Sequence, residues 1–125
     1  MLNLNSLMIG SNQPNVLADF YKKVFGKPAD MNESAEGEEW YGWQVGSTFF
    51  GIGKHSEVKG SSKEPARIMM NLETMDVKKE FERIKDFGAT VIKEPYEMQN
   101  TWIATFADPD GNYFQLMTPW GGGGK

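Results

Sequence analysis

The sequence predicts an α+β fold built from two successive copies of a strand-helix-strand-strand-strand unit. The order of strand-like and helix-like segments in the first half of the chain repeats in the second half. Residues 19–26 resemble residues 81–88, since both segments end in an aromatic residue followed by glycine, and residues 46–50 resemble residues 111–115 in the same register. Two such matches in one element order indicate an internally duplicated module.

The first half begins with a short alternating strand over residues 6–10, which places Leu7 and Ile9 on one face. Pro14 suits the first turn of a helix, and Gly26 followed by Pro28 ends it. The predicted helix carries an apolar stripe made of Val16, Leu17, Phe20, Tyr21, Val24 and Phe25.

Residues 28–38 are polar and acidic and are predicted to be strand edge and loop. Strands are predicted at 40–45 and 48–52, with Gly46-Ser47 as the hairpin turn between them.

The second half repeats this order, starting with an alternating strand over 67–72. This register places Ile68, Met70 and Leu72 on one face and Arg67, Met69 and Asn71 on the other. Thr74 or Asp76 can cap the second helix, which carries Val77, Phe81 and Ile84 and closes at Phe87-Gly88. Further strands are predicted at 90–92, 102–106 and 113–117.

The last hairpin carries the most informative stretch of the chain. Asp108-Pro109-Asp110-Gly111-Asn112 is a turn sequence, because proline presets φ, glycine accepts positive φ, and Asp and Asn side chains bond nearby backbone N–H groups. In the following strand, alternation places Phe114 and Leu116 toward a core and Tyr113, Gln115 and Met117 on the opposite face. We expect function on that second face.

Composition and charge narrow the classes of protein that fit. The chain has 125 residues, 39% of them hydrophobic, no cysteine, a net charge of −4 and a sequence pI near 5.0. The lack of cysteine excludes disulfides, and the acidic balance argues against nucleic acids and membranes as partners. The N-terminal residues contain no secretory signal, so a cytoplasmic location is expected.

We expect a first module over 1–53, a polar linker over 54–66, a second module over 67–119 and a flexible glycine-rich tail over 120–125.

The two modules, the helix sequence of residues 19–26 and the hairpin sequence of residues 108–116 resemble the vicinal oxygen chelate superfamily. That superfamily includes glyoxalase I, extradiol dioxygenases, and fosfomycin- and bleomycin-resistance proteins. The resemblance covers roughly residues 4–119 and implies a cup-shaped mixed sheet, helices on its outer face, a small-molecule pocket on its inner face, and a homodimer. One scaffold hosts unrelated reactions, so the resemblance does not give the chemistry.

The resemblance also implies four positions where metal-dependent members place His, Glu or Gln ligands. In this chain they fall on Ser6 or Asn5, Phe50, Arg67 and Gln115. Only Gln115 is a candidate ligand, because Phe50 cannot coordinate and a permanently charged arginine repels a cation. A catalytic metal site needs about three protein ligands, so we expect none here. The single histidine, His55, lies in the linker and is expected to be a solvated loop residue.

A pocket for a small organic molecule is then the leading interpretation. Arg67 is a candidate for bidentate binding of a carboxylate or phosphate, with Gln115 and Asn71 orienting the ligand; the alternative is that Arg67 pairs with an acidic neighbour. Trp40 and Trp43 lie on opposite faces of one strand, so at most one of them lines the pocket, either packing or stacking on an aromatic ligand. The residues predicted to line the pocket are Ser6, Met8, Phe50, Arg67, Met69, Asn71, Tyr113, Gln115 and Met117.

Three functions fit these features. The first is metal-free binding of a small organic molecule. The second is an enzyme, either a divalent-metal-dependent glyoxalase-like lyase or dioxygenase with an atypical ligand set, or a metal-free enzyme using Arg67 and Tyr113. The third is a structural dimer whose pocket is filled by its own side chains. Nucleophile-elbow, P-loop and dinucleotide-binding motifs are absent from the sequence.

The acidic run containing Glu33, Glu36, Glu38 and Glu39 is predicted to be a solvated loop, with attraction of a cationic ligand as the alternative.

Overall fold

The computed structural model describes residues 1–35 and 38–120, and it divides the chain into two compact units, the second of which begins at Ser61. Glu36, Gly37 and residues 121–125 of the predicted tail therefore lie outside the described residues. The first unit contains one helix and a four-stranded sheet. Its elements are β1 (Ser6–Ser11), α1 (Pro14–Phe25), β2 (Met31–Ala35), β3 (Glu38–Val45) and β4 (Thr48–Lys54).

Helix α1 begins and ends where its sequence requires. Pro14 occupies the first turn, and Gly26 adopts φ +71°, where its N–H bonds the carbonyl oxygen of Lys22. The helix buries Leu17, Tyr21 and Val24 of its apolar stripe on one face of the sheet, where Tyr21 and Phe25 contact Phe50, whereas Val16 is exposed. Trp43 completes this core, and its indole N–H donates to the carbonyl oxygen of Lys27 at 3.1 Å.

The second unit repeats this design. It contains β5 (Met70–Glu73), α2 (Val77–Asp86), β6 (Thr90–Met98), β7 (Thr101–Ala107) and β8 (Tyr113–Met117). Asp76 caps α2 by accepting a hydrogen bond from the backbone N–H of Lys79 at 3.1 Å. The core lies between α2 and the sheet and includes Phe81, Ile84, Phe106, Phe114 and Leu116, all fully or almost fully buried.

Matching strand orders confirm the duplication. The first sheet has the order β1-β4-β3-β2 and the second has the order β5-β8-β7-β6, so each element has its counterpart in the other unit. In both sheets the first and last strands of the unit pair in parallel while the other pairs are antiparallel. The predicted α+β fold of two tandem βαβββ modules, each a mixed sheet with its helix on one face, is therefore confirmed. Neither helix has the length and apolar content needed to cross a membrane.

The loop before β8 forms through the bonds that its sequence predicts. The buried Asp108 carboxylate accepts hydrogen bonds from the backbone N–H groups of Asp110 and Asn112, at 2.9 and 3.0 Å. Gly111 adopts φ +81°, and its N–H donates to the carbonyl oxygen of Asp108. The loop thereby fixes the register in which β8 enters the sheet.

Several strand boundaries differ from the sequence predictions. The segment predicted to be strand edge and loop forms β2 and the start of β3, so the solvated loop predicted around Glu33 and Glu39 is wrong, and β4 extends to Lys54, into the predicted linker. The strand predicted to start at Arg67 begins instead at Met70, because the N–H of Arg67 closes a turn onto the carbonyl oxygen of Glu64. The strand predicted at 90–92 extends to Met98, and its pairing with β7 has register shifts between Val91 and Lys93 and between Lys93 and Tyr96. The second irregularity contains Pro95, which lacks the N–H needed for regular pairing.

Candidate functional site

In the second unit, Gln115 lies on the sheet face opposite α2. It alternates with Phe114 and Leu116, which are buried against that helix, so Tyr113, Gln115 and Met117 project the other way as predicted. The Gln115 amide donates a hydrogen bond of 3.0 Å to the hydroxyl of Thr105, its cross-strand partner on β7. Its parallel neighbour on β5 is Asn71, which is exposed.

The direct strand partners of Gln115, Asn71 and Thr105, are polar and uncharged. Two charged residues lie one position further away on the same face, Glu73 beside Met117 and Lys93 beside Thr105. Thr105 and Met117 are 5% and 7% exposed, so the amide lies beside a well-packed surface rather than in open solvent. A glutamine amide has two donors and one acceptor oxygen, and the bond to Thr105 uses one donor. This group can orient a ligand by hydrogen bonding.

The same residues do not fit a catalytic divalent metal ion. Asn71, Thr105 and Gln115 carry no carboxylate, imidazole or thiolate, which are the donors that such ions take. Across residues 1–35 and 38–120 no group of three or more His, Cys, Asp or Glu side chains is placed to hold a metal ion. His55, in the loop after β4, is exposed, and its Nδ1 accepts a hydrogen bond from the N–H of Glu57.

Arg67 and Met69 lie outside β5, and the expected strand position of both is wrong. The Arg67 guanidinium forms an exposed ion pair of 2.9 Å with Glu64, within the turn that precedes the strand. The interpretation that Arg67 pairs with an acidic neighbour therefore describes its contact in the structure. Met69 is exposed in the same connection.

In the first unit, Phe50 lies in the core rather than on the helix-opposite face where it is predicted. It is 2% exposed, and its ring centre lies 5.0 Å from that of Tyr21 and 5.3 Å from that of Phe25. The error comes from pairing Phe50 with Gln115 in the repeat. The two-residue β3–β4 turn is shorter than the loop before β8. The same count of residues after Gly46 and after Gly111 therefore reaches opposite faces of the two sheets, and the counterpart of Gln115 is Phe49.

Phe49 takes the position expected of Phe50. It projects from the helix-opposite face together with Trp40, and the two rings are nearly parallel, with centres 5.9 Å apart and planes 22° apart. Both side chains are half-buried. Trp43 lies in the core, so the prediction that the two tryptophans of this strand lie on opposite faces is confirmed.

Three buried glycines lie beneath these rings, and we call Trp40, Phe49, Gly42, Gly51 and Gly53 the aromatic face. A β-carbon built on Gly53 would lie 3.1 Å from Trp40 Cδ1, and one on Gly51 would lie 3.7 Å from Trp40 Cζ2. A β-carbon on Gly42 would lie 2.6 Å from Phe49 Cε2 and 3.1 Å from Trp40 Cη2. Any side chain at Gly42 would therefore displace the phenyl ring.

Methionines flank the aromatic face at both ends of one row across the sheet. The row runs from Met8 on β1 through Gly51 and Gly42 to Met31 on β2. Met8 is 56% exposed and Met31 is 49% exposed. The exposed Ser6 lies beside Phe49 at the edge of the same face. Of the predicted pocket residues, Ser6 and Met8 share this face in the first unit, and Asn71, Tyr113, Gln115 and Met117 share the corresponding face of the second.

The sequence interpretation missed Phe49 and the glycines. A signal was present, because Gly42, Gly51 and Gly53 have the spacing that puts them on the face of Trp40 once strands β3 and β4 are paired. Glycine weakens a strand interior, and it is found there where another group approaches closely.

A polar cluster at the end of α1 fixes β3 on the helix side. Asp30 accepts a hydrogen bond of 2.7 Å from the backbone N–H of Gln44 and forms an ion pair with Lys27. The Gln44 N–H bond and the nearby ammonium group lower the pKa of Asp30 below its ordinary value. These bonds tie the segment before β2 to the end of the strand that carries Trp40.

The fold defines a class of protein, two tandem βαβββ modules that each carry a helix on one face of a mixed sheet. Comparison with known proteins gives its family. The Glyoxalase-like domain family matches residues 6–117, and the chain belongs to that family. No match was found among proteins of curated function.

Solved structures named for the glyoxalase, bleomycin-resistance and dioxygenase group share the fold. A family enzyme from Burkholderia phytofirmans is 22% identical, with a TM-score of 0.71, over 94% of this chain and 98% of its own. A domain from Frankia is 14% identical, with a TM-score of 0.75, over 94% and 98% of the two chains. A glyoxalase/bleomycin resistance protein from Albidiferax ferrireducens is 19% identical, with a TM-score of 0.70, over 92% and 98%. At these identities the likeness shows the fold alone. Together with the family match over residues 6–117, it confirms the vicinal oxygen chelate resemblance.

Proposed function

We propose that the protein binds a small organic molecule on the helix-opposite face of its first sheet, without a catalytic metal ion. The observation that carries the proposal is the aromatic face. Two large rings lie half-exposed on buried glycines and are flanked by exposed methionines, an adaptable apolar surface of the kind that small-molecule sites use.

The donor chemistry supports metal-free binding over a lyase or dioxygenase reaction at a divalent ion. The expected ligand positions hold an amide, a hydroxyl and an aromatic ring in the core, and the arginine among them is paired with Glu64. An enzyme in which Arg67 polarises a substrate oxygen lacks support, because that side chain lies in an exposed turn.

The first test is the metal content of protein purified without a metal-affinity step, together with thermal shifts on adding Zn²⁺, Ni²⁺, Mn²⁺ or Fe²⁺. A ligand at a hundred times its Kd stabilises the native state by about 2.7 kcal/mol, which raises Tm by several degrees. We expect substoichiometric metal and no such shift. Stoichiometric metal that Gln115→Ala releases would overturn the metal-free proposal in favour of the metal-dependent enzyme.

The second test is a screen of small organic molecules by ligand-observed NMR. We expect hits whose signals are lost with Trp40→Leu and retained with Trp120→Leu, a change at an exposed tryptophan outside both sheets. A screen in which every hit binds the two variants equally well would contradict binding at the aromatic face.

A further inference from the structure

The indole of Trp40 lies flat along the sheet rather than standing out from it. Atoms of both its rings approach glycines, with Cδ1 over Gly53, Cζ2 over Gly51 and Cη2 near Gly42. Phe49 is inclined by only 22° to it. Rings in this orientation present their faces, so a flat partner gains the largest contact with them.

One carboxylate, that of Glu33, lies beside these rings. An aromatic face carries the negative end of a quadrupole and attracts cations within about 6 Å of the ring centre. Glu33 is the direct cross-strand partner of Trp40 and projects from the same face. Directly opposed residues have β-carbons about 5 Å apart, so the carboxylate is within reach of a group lying on the indole.

No basic side chain offsets Glu33 among the described strand positions of this face. The positions whose side chains the structure describes hold Ser6, Met8, Met31, Glu33, Trp40, Gln44 and Phe49, together with glycines. Lys54 lies on the same face of β4 as the buried Phe50 and Ile52, because residues two apart share a face, so it projects toward the helix side. The face is therefore complementary in charge to a cation as well as complementary in shape to a planar ring.

We propose that the aromatic face binds a planar organic cation, whose ring stacks on Trp40 and Phe49 and whose positive charge is held by Glu33. Met8 and Met31 bound the ring at the two ends of the glycine row. This inference rests on the proposed function and narrows its ligand to one chemical class.

Three probes separate planarity from charge. N-methylquinolinium is planar and cationic, quinoline at pH 8 is planar and neutral, and N,N-dimethylpiperidinium is cationic and not planar. We expect N-methylquinolinium to bind about tenfold more tightly than either of the others, since cation–π attraction and the carboxylate act together. Raising the salt concentration is expected to reduce the difference in affinity between N-methylquinolinium and quinoline, because screening weakens the attraction of an exposed charge.

The tryptophan indole N–H signals in a ¹H–¹⁵N NMR spectrum report where a probe binds. Trp40 lies on the proposed site, whereas the indole N–H of Trp43 is bonded to Lys27 on the helix side and acts as an internal reference. We expect the Trp40 signal, assigned by its loss in Trp40→Leu, to shift on titration while that of Trp43 stays in place. A shift of Trp43 with Trp40 unmoved would overturn the location.

Glu33→Gln tests the charge without changing the shape of the face. It is expected to weaken N-methylquinolinium binding about fivefold at low salt and to leave quinoline unaffected. The matched control is Glu57→Gln, which removes the same charge from an exposed loop residue outside the sheet and is expected to change binding by less than about twofold. Equal effects of the two substitutions would refute a role for Glu33.

The outcomes keep this inference separate from the proposed function. If quinoline shifts the Trp40 signal at the same concentrations as N-methylquinolinium, the cation inference is overturned while small-molecule binding at the aromatic face stands. If none of the three probes shifts the Trp40 signal while the broad screen yields Trp40-dependent hits, the ligand belongs to another class and the inference is again overturned. If the screen also yields none, both proposals fail.

Discussion

Replacing Phe50 and Phe49 in turn tests which of two adjacent rings belongs to the core. Phe50 is 2% exposed and contacts three aromatic rings, so Phe50→Ala removes nearly its full buried area. About 150–200 Å² of apolar surface at 25 cal/mol per Å² gives roughly 4–5 kcal/mol, which agrees with the 3–5 kcal/mol typical of such substitutions. Phe49 is half-exposed, and we expect Phe49→Ala to cost about 1–2 kcal/mol.

Urea unfolding followed by fluorescence and far-UV circular dichroism measures both substitutions under the same conditions. The expected result is a lower midpoint for Phe50→Ala with an unchanged slope, and a smaller decrease for Phe49→Ala. The two variants should also differ in ligand binding, since only Phe49→Ala alters the aromatic face. A larger loss of stability from Phe49→Ala than from Phe50→Ala would refute the register in which β4 pairs with β3.

Three further substitutions test the local structure. Asp108→Ala removes a buried carboxylate that accepts backbone N–H bonds, and we expect a loss of about 2–3 kcal/mol in urea unfolding, whereas a loss below about 1 kcal/mol would contradict its role in the loop. Asp76→Ala removes the cap that bonds the N–H of Lys79, which should cost about 1 kcal/mol, and Asp76→Asn, which keeps an acceptor, should restore most of it. The folded-state pKa of Asp30 lies below its ordinary value, so its contribution to stability is present above that value and is lost as pH falls through the lowered pKa. In acid titrations of thermal stability, Asp30→Asn should therefore lose less stability than the wild type, and parallel profiles would contradict the bond to Gln44.

Most of the fold could be predicted from the sequence because its signals are local. Pro14 and Gly26 mark the ends of one helix, Asp76 caps the other, and the turn residues of the last hairpin specify their own hydrogen bonds. The repeated element order then determines which strands correspond, and the two identical sheet orders follow from it.

The candidate site was harder to predict because it depends on pairing between strands. Alternation shows that Phe49 and Phe50 lie on opposite faces, but both are large and apolar, so only the contacts with Tyr21 and Trp43 identify the one that is buried. Arg67 was misplaced for a related reason. Its alternation with Met69 and Asn71 continues a strand pattern, but the turn bond from Arg67 to Glu64 delays the start of the strand by three residues, to Met70.

The irregular edge strand β6 bears on how readily a strand of another molecule can extend this sheet. It lies at the end of its sheet, and a regular edge strand would offer a ladder of backbone groups to a strand from another molecule. The two register shifts, Pro95 and the exposed Lys93 interrupt that ladder. Substitutions that straighten β6, such as Pro95→Thr, are consequently expected to promote aggregation more than to change the stability of the monomer. Tags and fusion partners should be designed to leave this edge unaltered.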